Sequence, residues 1–511
     1  MTTVKRRRLL RGKITYSAAK EHETNILHAL GYWDQQSQYF KDLHQKRHLI
    51  EALVAHHLNL GMKTCHIGEP AEWLSGTFNV CIPVFVNHSQ RPGFLVRLPL
   101  PYRVGEAFNP GNADEKIACE VGTYVWLQRH CPEVPIPRLH GYGFSTGQTF
   151  TALENLPLLT RTVNLIHRRL LRLLGYELPS TYVAHKQRQN TLGVGYLLIE
   201  YIDQTRGRML SESWHTGRHD TQLRTNLFHS LSSIVLSLSR TPIQEIGSFI
   251  INEQGFLRLK NRPLTLEIQD LENHRIPVDI PRESTYSTVD AYINDILAFH
   301  ESRFRHQPNA LNDIQDGLFQ IAALTVMRTV RQAFFRPELR RGPFFLALTD
   351  LHQSNILVDD DWNIACLVDL EWACSRPAEM IHPPYWLTSQ AVDGIDAAEY
   401  EKLHEEFMQA FVEREAVYPQ TKLRLSRIMQ DGWMRGTFWY ALALDSPTGL
   451  FRIFYDHIQP RFCRGHVDDA AFFRIVVDYW EVGAFKFVLR KVDDKERYDR
   501  LLRDAFSLGS W

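Results

Sequence analysis

Neither sign of charge prevails in this sequence: 58 lysines and arginines stand against 58 aspartates and glutamates in 511 residues. The basic surplus that marks a wholesale nucleic-acid or anionic-membrane binder is therefore missing. No stretch approaches the roughly 18 consecutive apolar residues of a membrane span. The opening MTTVKRRRLLRGK lacks the apolar core, roughly 7–15 residues long, of a secretory signal. Cysteine is sparse and scattered. Cys65, Cys81, Cys119, Cys131, Cys366, Cys374 and Cys463 show no CxxC spacing, the pattern of reduced intracellular thiols rather than a disulfide frame or a zinc site. No internal repeat or low-complexity tract interrupts the chain. What is present is the balance of an ordinary globular protein, 44% hydrophobic and 23% charged. At roughly 100–200 residues per domain, two to four structural units are expected.

The first twenty residues carry Lys5, Arg6, Arg7, Arg8, Arg11, Lys13 and Lys20 and no acid. Short charge runs are usually solvated, so a basic tail is the reading preferred. A mitochondrial presequence and a nuclear localisation patch compete with it. A cytoplasmic location is expected, with mitochondrial import as the minority reading. From about Ala18 to Leu60 the apolar residues Ile26, Leu27, Leu30, Leu49, Ile50, Leu53 and Val54 recur at three- and four-residue spacing, which predicts helix, stopped by Gly61. The texture then changes to short β-rich runs, Val80 to Val86 and Phe94 to Leu98, around a turn over residues 87–93. Lys116 to His130 returns to helix and stops at Pro132. Ala152 to His185 is an Arg- and Leu-rich insertion, read as a helix between two strands, and Tyr196 to Ile202 is a further strand. Beyond about Gln204 the pattern is mostly helical, including 227–238, 289–304, 314–335, 399–415 and 470–489. One β-hairpin, Asn355 to Val358 and Ile364 to Leu370, interrupts it.

The segment from Leu348 to Asp359, LTDLHQSNILVD, followed by Cys366 to Trp372, CLVDLEW, carries the chemistry. Magnesium-dependent phosphoryl transfer needs a carboxylate to orient and deprotonate an acceptor hydroxyl, and oxygen ligands for the metal. Asp350, followed five residues later by Asn355, gives a carboxylate and a neutral amide oxygen in one loop. Asp369, on the second strand of the hairpin, folds back to face Asn355. Hard oxygen donors with no His/Cys cluster suit Mg2+ rather than Zn2+. Taken singly, Asp and Asn at such positions only cap turns; three at this spacing favour function.

The run resembles the catalytic and metal-binding loops of the aminoglycoside phosphotransferase and choline kinase group. It is especially similar to a large fungal branch of phosphotransferase-family proteins, in which DLHQSNI and VDLEWACS occur much as here. The resemblance implies an α+β, bilobal, protein-kinase-like fold, with a small β-rich N-lobe and a larger, mostly helical C-lobe. The expected organisation is a basic tail and helical extension over 1–60 and a nucleotide-binding N-lobe over 61–203, with a helical insertion at about 152–190. A helical C-lobe over 204–511 carries the loop and the hairpin. The resemblance makes Asp350 the catalytic base and Asn355 and Asp369 the magnesium ligands, with ATP or GTP as co-substrate and a small-molecule hydroxyl as acceptor. Leu348-Thr349 stands where the family has His-Gly. In the N-lobe, Ser75, Gly76 and Thr77 form the candidate turn over the nucleotide phosphates. Arg97 takes the place of the phosphate-contacting lysine, and Glu120 that of its partner. Arg for Lys exchanges an ammonium for a planar fork. Glu200 and Ile202 fall at the lobe connection, where backbone groups would meet the adenine. His352 reads as local packing ahead of a phosphate donor, Glu371 as a helix-dipole partner ahead of an outer-shell metal ligand, and Trp372, Trp386, Trp433, Trp439 and Tyr440 as core ahead of an acceptor-pocket lining. A kinase-like protein that binds nucleotide without transfer is the alternative reading. A protein kinase is disfavoured, since no Ala-Pro-Glu segment follows Asp369.

Overall fold

The computed structural model describes residues 6–61, 64–87, 89–186, 192–417, 423–463 and 470–507. Lys5, His88 and the end of the 152–190 stretch from 187 onward lie outside the described residues. The architecture is mixed α+β, with a small sheet region and a larger share of helix.

Arg6–Arg8 (β1) and Lys13–Thr15 (β2) pair antiparallel, with Gly12 at φ +81° in the turn between them. From Arg6 onward the basic run is therefore an ordered hairpin and not a tail, although Arg6, Arg8, Arg11 and Lys13 are exposed as expected. Its anchors are apolar: Ile14 is buried with Ala19, Ile26, Tyr498, Leu502 and Phe506, which joins the two ends of the chain. The Tyr498 hydroxyl accepts from the Ile26 N–H at 2.9 Å. The helical stretch that follows is four helices, Tyr16–Lys20, Ile26–Ala29, Tyr32–Gln45 and Arg47–Leu58. The last ends two residues before the expected Leu60, because Asn59 takes the left-handed cap at φ +53°, a conformation asparagine tolerates.

One antiparallel sheet holds the next strands: Cys65–Ile67 (β3), Leu74–Ser75 (β4), Asn79–Val86 (β5), Phe94–Pro99 (β6), Leu139–Gly143 (β7), Gln148–Ala152 (β8), Tyr182–Lys186 (β9) and Tyr196–Glu200 (β10). Their spatial order is β3-β5-β6-β10-β7-β8-β9, with β4 on β5. Strand alternation sorts the side chains. Val80, Ile82, Val84, Val96, Leu98 and Leu198 pack under the helices Tyr32–Gln45 and Arg47–Leu58. Leu197 and Ile199 turn to the opposite face, into the larger core that also holds the helix Asn112–His130. Arg97, between Val96 and Leu98, is carried to that second face by the same alternation. The insertion is the helix Leu158–Leu173, set between β8 and β9.

After Gln204 helix dominates, yet more strand is present than the one hairpin expected. Arg208–Met209 (β11) pairs with Ile356–Val358 (β15), which pairs with Ile364–Leu367 (β16); Ser248–Ile251 (β12) pairs with Leu257–Asn261 (β13); and Phe344–Leu348 (β14) pairs with Ala373–Pro377 (β17). These strands are two to five residues long, too short for a period to stand out from their helical surroundings. The single helix expected over 470–489 is two, Ala470–Asp478 and Ala484–Ser507, broken next to Gly483 at φ +82°.

Candidate active site

Two strand pairs pin the segment singled out by sequence. β14 delivers the chain into the loop and β17 takes it away, with Leu348 opposite Ala373. The Thr349 hydroxyl donates to the Trp372 carbonyl and ties the entry of the loop to its exit. Inside this frame β15 and β16 pair with Ile356 opposite Leu367, and the Val368 N–H donates to the Asn355 carbonyl at 3.0 Å. Asp350, Asn355 and Asp369 are thereby gathered at one end of two short ladders. The Asn355 amide donates to the Asp350 carbonyl at 2.8 Å and to its carboxylate at 3.2 Å.

Asp369 is not on the hairpin strand, as expected, but two residues past its end, at φ +57°; Trp372 follows at φ +65°. Left-handed backbone is unfavourable for side chains other than glycine, asparagine and aspartate. The surrounding ion pairs hold this turn in place. Arg97 contacts Asp369 through one guanidinium nitrogen and Glu371 through another at 2.6 Å. Its Nε lies 3.3 Å from Glu120 on the Asn112–His130 helix. Arg97 is 5% exposed and Glu120 1%, so the pair is buried.

Two members of this cluster were not singled out from sequence. Lys116, one helical turn before Glu120, is buried and paired with Glu371. Asn79, at the start of β5, accepts from Lys116 at 2.6 Å and donates to Glu371 at 2.8 Å. Glu371 is thus no helix-dipole partner but the acceptor shared by two cations. Burial would raise its carboxyl, yet Lys116 and Arg97 prevail and hold it low, at about 2. Glu120 moves the other way, raised by burial despite the nearby cations. The only sequence signal for Lys116 was its four-residue spacing from Glu120, which reads as an ordinary surface pair.

The remaining expected residues lie around the cluster. Ser75, Gly76 and Thr77 are exposed, Ser75 at the end of β4 and the other two in the turn that joins it to β5, closed by the Gly76 N–H donating to the Asn79 carbonyl at 2.9 Å. The turn reaches the cluster through Asn79 and through Phe78, whose ring meets Trp372 edge-on at 5.3 Å. Glu200 ends β10, which runs beside β6 with Leu197 opposite Arg97. Its carboxylate pairs with Arg206 at 2.5 Å and accepts from the Arg138 N–H at 3.2 Å. Ile202 follows the strand, half-buried, and neither residue touches the ion-pair cluster. His352 packs edge-on against Trp386.

Asp350 also lines a cavity of about 540 Å³, within the size range of small-molecule sites. Glu267, Tyr385, Trp386 and the Arg376–Asp445 pair share its wall. Burial, with Glu371 and Asp369 nearby, pushes the Asp350 carboxyl up to about 7. Burial also raises Glu267, again to about 7, with Asp445 adding to it.

Among the described residues no group of three or more His, Cys, Asp and Glu is arranged to hold a metal ion. The donors that are present still suit magnesium. The amide nitrogen of Asn355 is committed to Asp350, which leaves its side-chain oxygen for a cation. Arg97 occupies one oxygen of the part-exposed Asp369 carboxylate and leaves the other. An ion that takes its further ligands from phosphate and water can use such a pair.

No family model matches this chain, and no curated protein matches it. Among solved structures it is similar to an ethanolamine kinase of Plasmodium vivax, at 12% identity and a TM-score of 0.33, over 98% of this chain and 97% of that one. A likeness that slight carries no argument about chemistry.

Proposed function

We propose that this chain is a phosphotransferase that moves the γ-phosphoryl group of ATP or GTP onto a hydroxyl of a small molecule. The observation that carries the reading is the position of Asp350. Its carboxyl lines a ligand-sized cavity, while the loop that bears it runs directly into Asn355 and the Asp369 turn. The resemblance of the 348–372 run to phosphotransferase loops supports it further. In this reading the fold is bilobal: the eight-stranded sheet and the Asn112–His130 helix form the nucleotide lobe, and the helical remainder forms the acceptor lobe.

The acceptor sits in the cavity with its hydroxyl against Asp350. The carboxylate takes the hydroxyl proton as the oxygen attacks the γ-phosphorus, and the bond to the bridging oxygen of the leaving nucleotide breaks. A carboxyl raised by burial is better matched to that proton than an ordinary aspartate. Asn355 and Asp369 would hold magnesium, which when bound neutralises the phosphate oxygens. Arg97 offers its guanidinium to the same phosphates, and Glu120 fixes its direction.

One observation favours a second reading. Arg97 engages Asp369 itself, a contact that a nucleotide-binding protein without transfer would keep. The two readings part on transfer, and both rest on a metal assignment that nucleotide binding tests. ATP should raise the melting temperature more with Mg2+ than with a chelator, since a ligand of the native state stabilises it by mass action. Asp369→Ala should remove the magnesium-dependent part. An unchanged response in that variant contradicts the metal assignment.

A further inference from the structure

The helix Leu158–Leu173 buries none of its side chains, a condition the folded body imposes on no other helix of its length among the described residues. Leu159, Val163, Ile166, Leu170 and Leu173 recur every three or four residues and so form one stripe. They are 85, 65, 54, 52 and 83% exposed. At 1.5 Å per residue the stripe runs for about 21 Å, and exposed Leu158, Leu174 and Tyr176 lengthen it at both ends. Contiguous apolar surface of this kind marks an interaction site.

Charge identifies what it meets. From Leu158 to Tyr176 the chain has Arg161, Arg168, Arg169 and Arg172 and no acid. Arg168 fastens the helix to the body by donating to the Pro179 and Ser180 carbonyls, each at 2.7 Å. Arg161, Arg169 and Arg172 are exposed, and none pairs with a carboxylate among the described residues. The nearest acids in sequence are engaged elsewhere, Glu154 with Arg138 and Glu177 with Arg258. At about 100° per residue Arg169 lies beside the stripe, and Arg161 and Arg172 lie on the face opposite it. Sixteen residues with this charge are too short and too polar to span a bilayer. An apolar face backed by a cationic polar face is instead the pattern of a helix lying in the headgroup region. A second copy of the chain is the poorer fit, since it would bring together two helices that each carry four arginines and no acid.

We propose that Leu158–Leu173 is an interfacial anchor that lays its apolar stripe onto an anionic phospholipid surface. The balance of charge over the whole chain conceals it, because the surplus is local to this insertion. The anchor is separate from the candidate active site. It sits between β8 and β9 at the far end of the sheet, four strands and about 19 Å from β6, so the inference does not depend on the phosphotransferase reading.

The test is flotation of the full chain with phosphatidylcholine vesicles, with and without phosphatidylserine. Binding is expected only when phosphatidylserine is present, and it should weaken as salt is raised. Arg161→Gln, Arg169→Gln and Arg172→Gln should each weaken it roughly fivefold. Leu159→Ser combined with Ile166→Ser and Leu173→Ser should abolish it while leaving the melting temperature unchanged, because none of these side chains is buried. Should the triple serine variant fail to fold, the arginine variants read the same property from the polar face. Failure to bind, equal binding to both vesicle types, or serine variants that bind like wild type overturn the proposal. So does a wild-type dimer that the serine variants dissociate, which would assign the stripe to a second copy. Equally strong capture by a polyglutamate surface would assign it to an acidic protein.

Discussion

Replacing Lys116 with methionine tests the buried charge network directly. The network has two cations, Arg97 and Lys116, and three acids, Glu120, Asp369 and Glu371, so its formal charge is 2 − 3 = −1. Lys116→Met keeps the length of the side chain and takes the network to −2. Glu371 would retain Arg97 at 2.6 Å and the Asn79 amide at 2.8 Å, but with 4% of its side chain exposed it cannot recruit water. Removing one partner of a buried pair costs about 3–5 kcal/mol, most of it the penalty for the charge left behind. The remaining contacts place Lys116→Met near the lower end. Against a total stability of about 5–15 kcal/mol, that is a large fraction. Glu371→Gln, made alone, orphans the lysine instead. The double variant orphans neither, so it should fall short of the summed single effects by about 0.5–3 kcal/mol. Urea unfolding of the wild type, both single variants and the double variant measures this. A Lys116→Met cost below about 1 kcal/mol, typical of an exposed pair, would refute the reasoning, and so would strict additivity.

Three further outcomes are expected. Gly122→Ala would raise helix propensity, yet a Cβ there would lie 2.0 Å from the Phe249 carbonyl oxygen of β12. It should therefore destabilise by at least about 1–3 kcal/mol, and a neutral or raised melting temperature would show that the helix does not sit on that strand. His300 is buried and bonded to the Leu444 carbonyl at 2.8 Å, and burial lowers its pKa from 6.5 to about 4. The unfolded chain takes up that proton first, so stability is full above pH 6.5 and falls as pH drops from 6.5 towards 4, by up to about 3 kcal/mol. His300→Gln should flatten that limb in melting curves taken across the range, and an unaltered slope would contradict the assignment. A double-mutant cycle of Arg97→Met and Glu120→Gln on nucleotide affinity should show a coupling of about 0.5–3 kcal/mol, and independent effects would separate the two residues.

The parts of the chain legible in sequence are those whose cause is local. The β-rich runs Val80–Val86 and Phe94–Leu98, on either side of a polar turn, are enough to place β5 and β6. Helical period is enough for the segments around 116–130, 227–238 and 289–304. The loop from Asp350 to Asn355 is contiguous, so its residues stand together in sequence as they do in space. What was not legible depends on distant partners. β14 and β17 pair across 24 intervening residues, and nothing in either run alone predicts the other. Lys116 and Asn79 look like ordinary polar positions until the turn after Asp369 descends on them. That turn was misread as strand because the apolar run Ile364–Leu370 continues past the last ladder pair, while the backbone has already turned left-handed at Asp369. The basic N-terminus was misread for a related reason: its order comes from Tyr498, Leu502 and Phe506 at the other end of the chain.

The central claim is transfer through Asp350, and the most direct measurement uses γ-labelled ATP with a metabolite extract, comparing wild type with Asp350→Asn. The substitution keeps the shape of the side chain and removes the charge that attracts the acceptor proton. Transfer of label to a small molecule, or hydrolysis to water, should fall by roughly 10²–10⁴-fold. Nucleotide affinity should remain near wild type, because Asp350 faces the cavity. Label transferred equally by both proteins, or affinity lost together with activity, would contradict the account, as would a wild type that binds magnesium–ATP and transfers label to nothing.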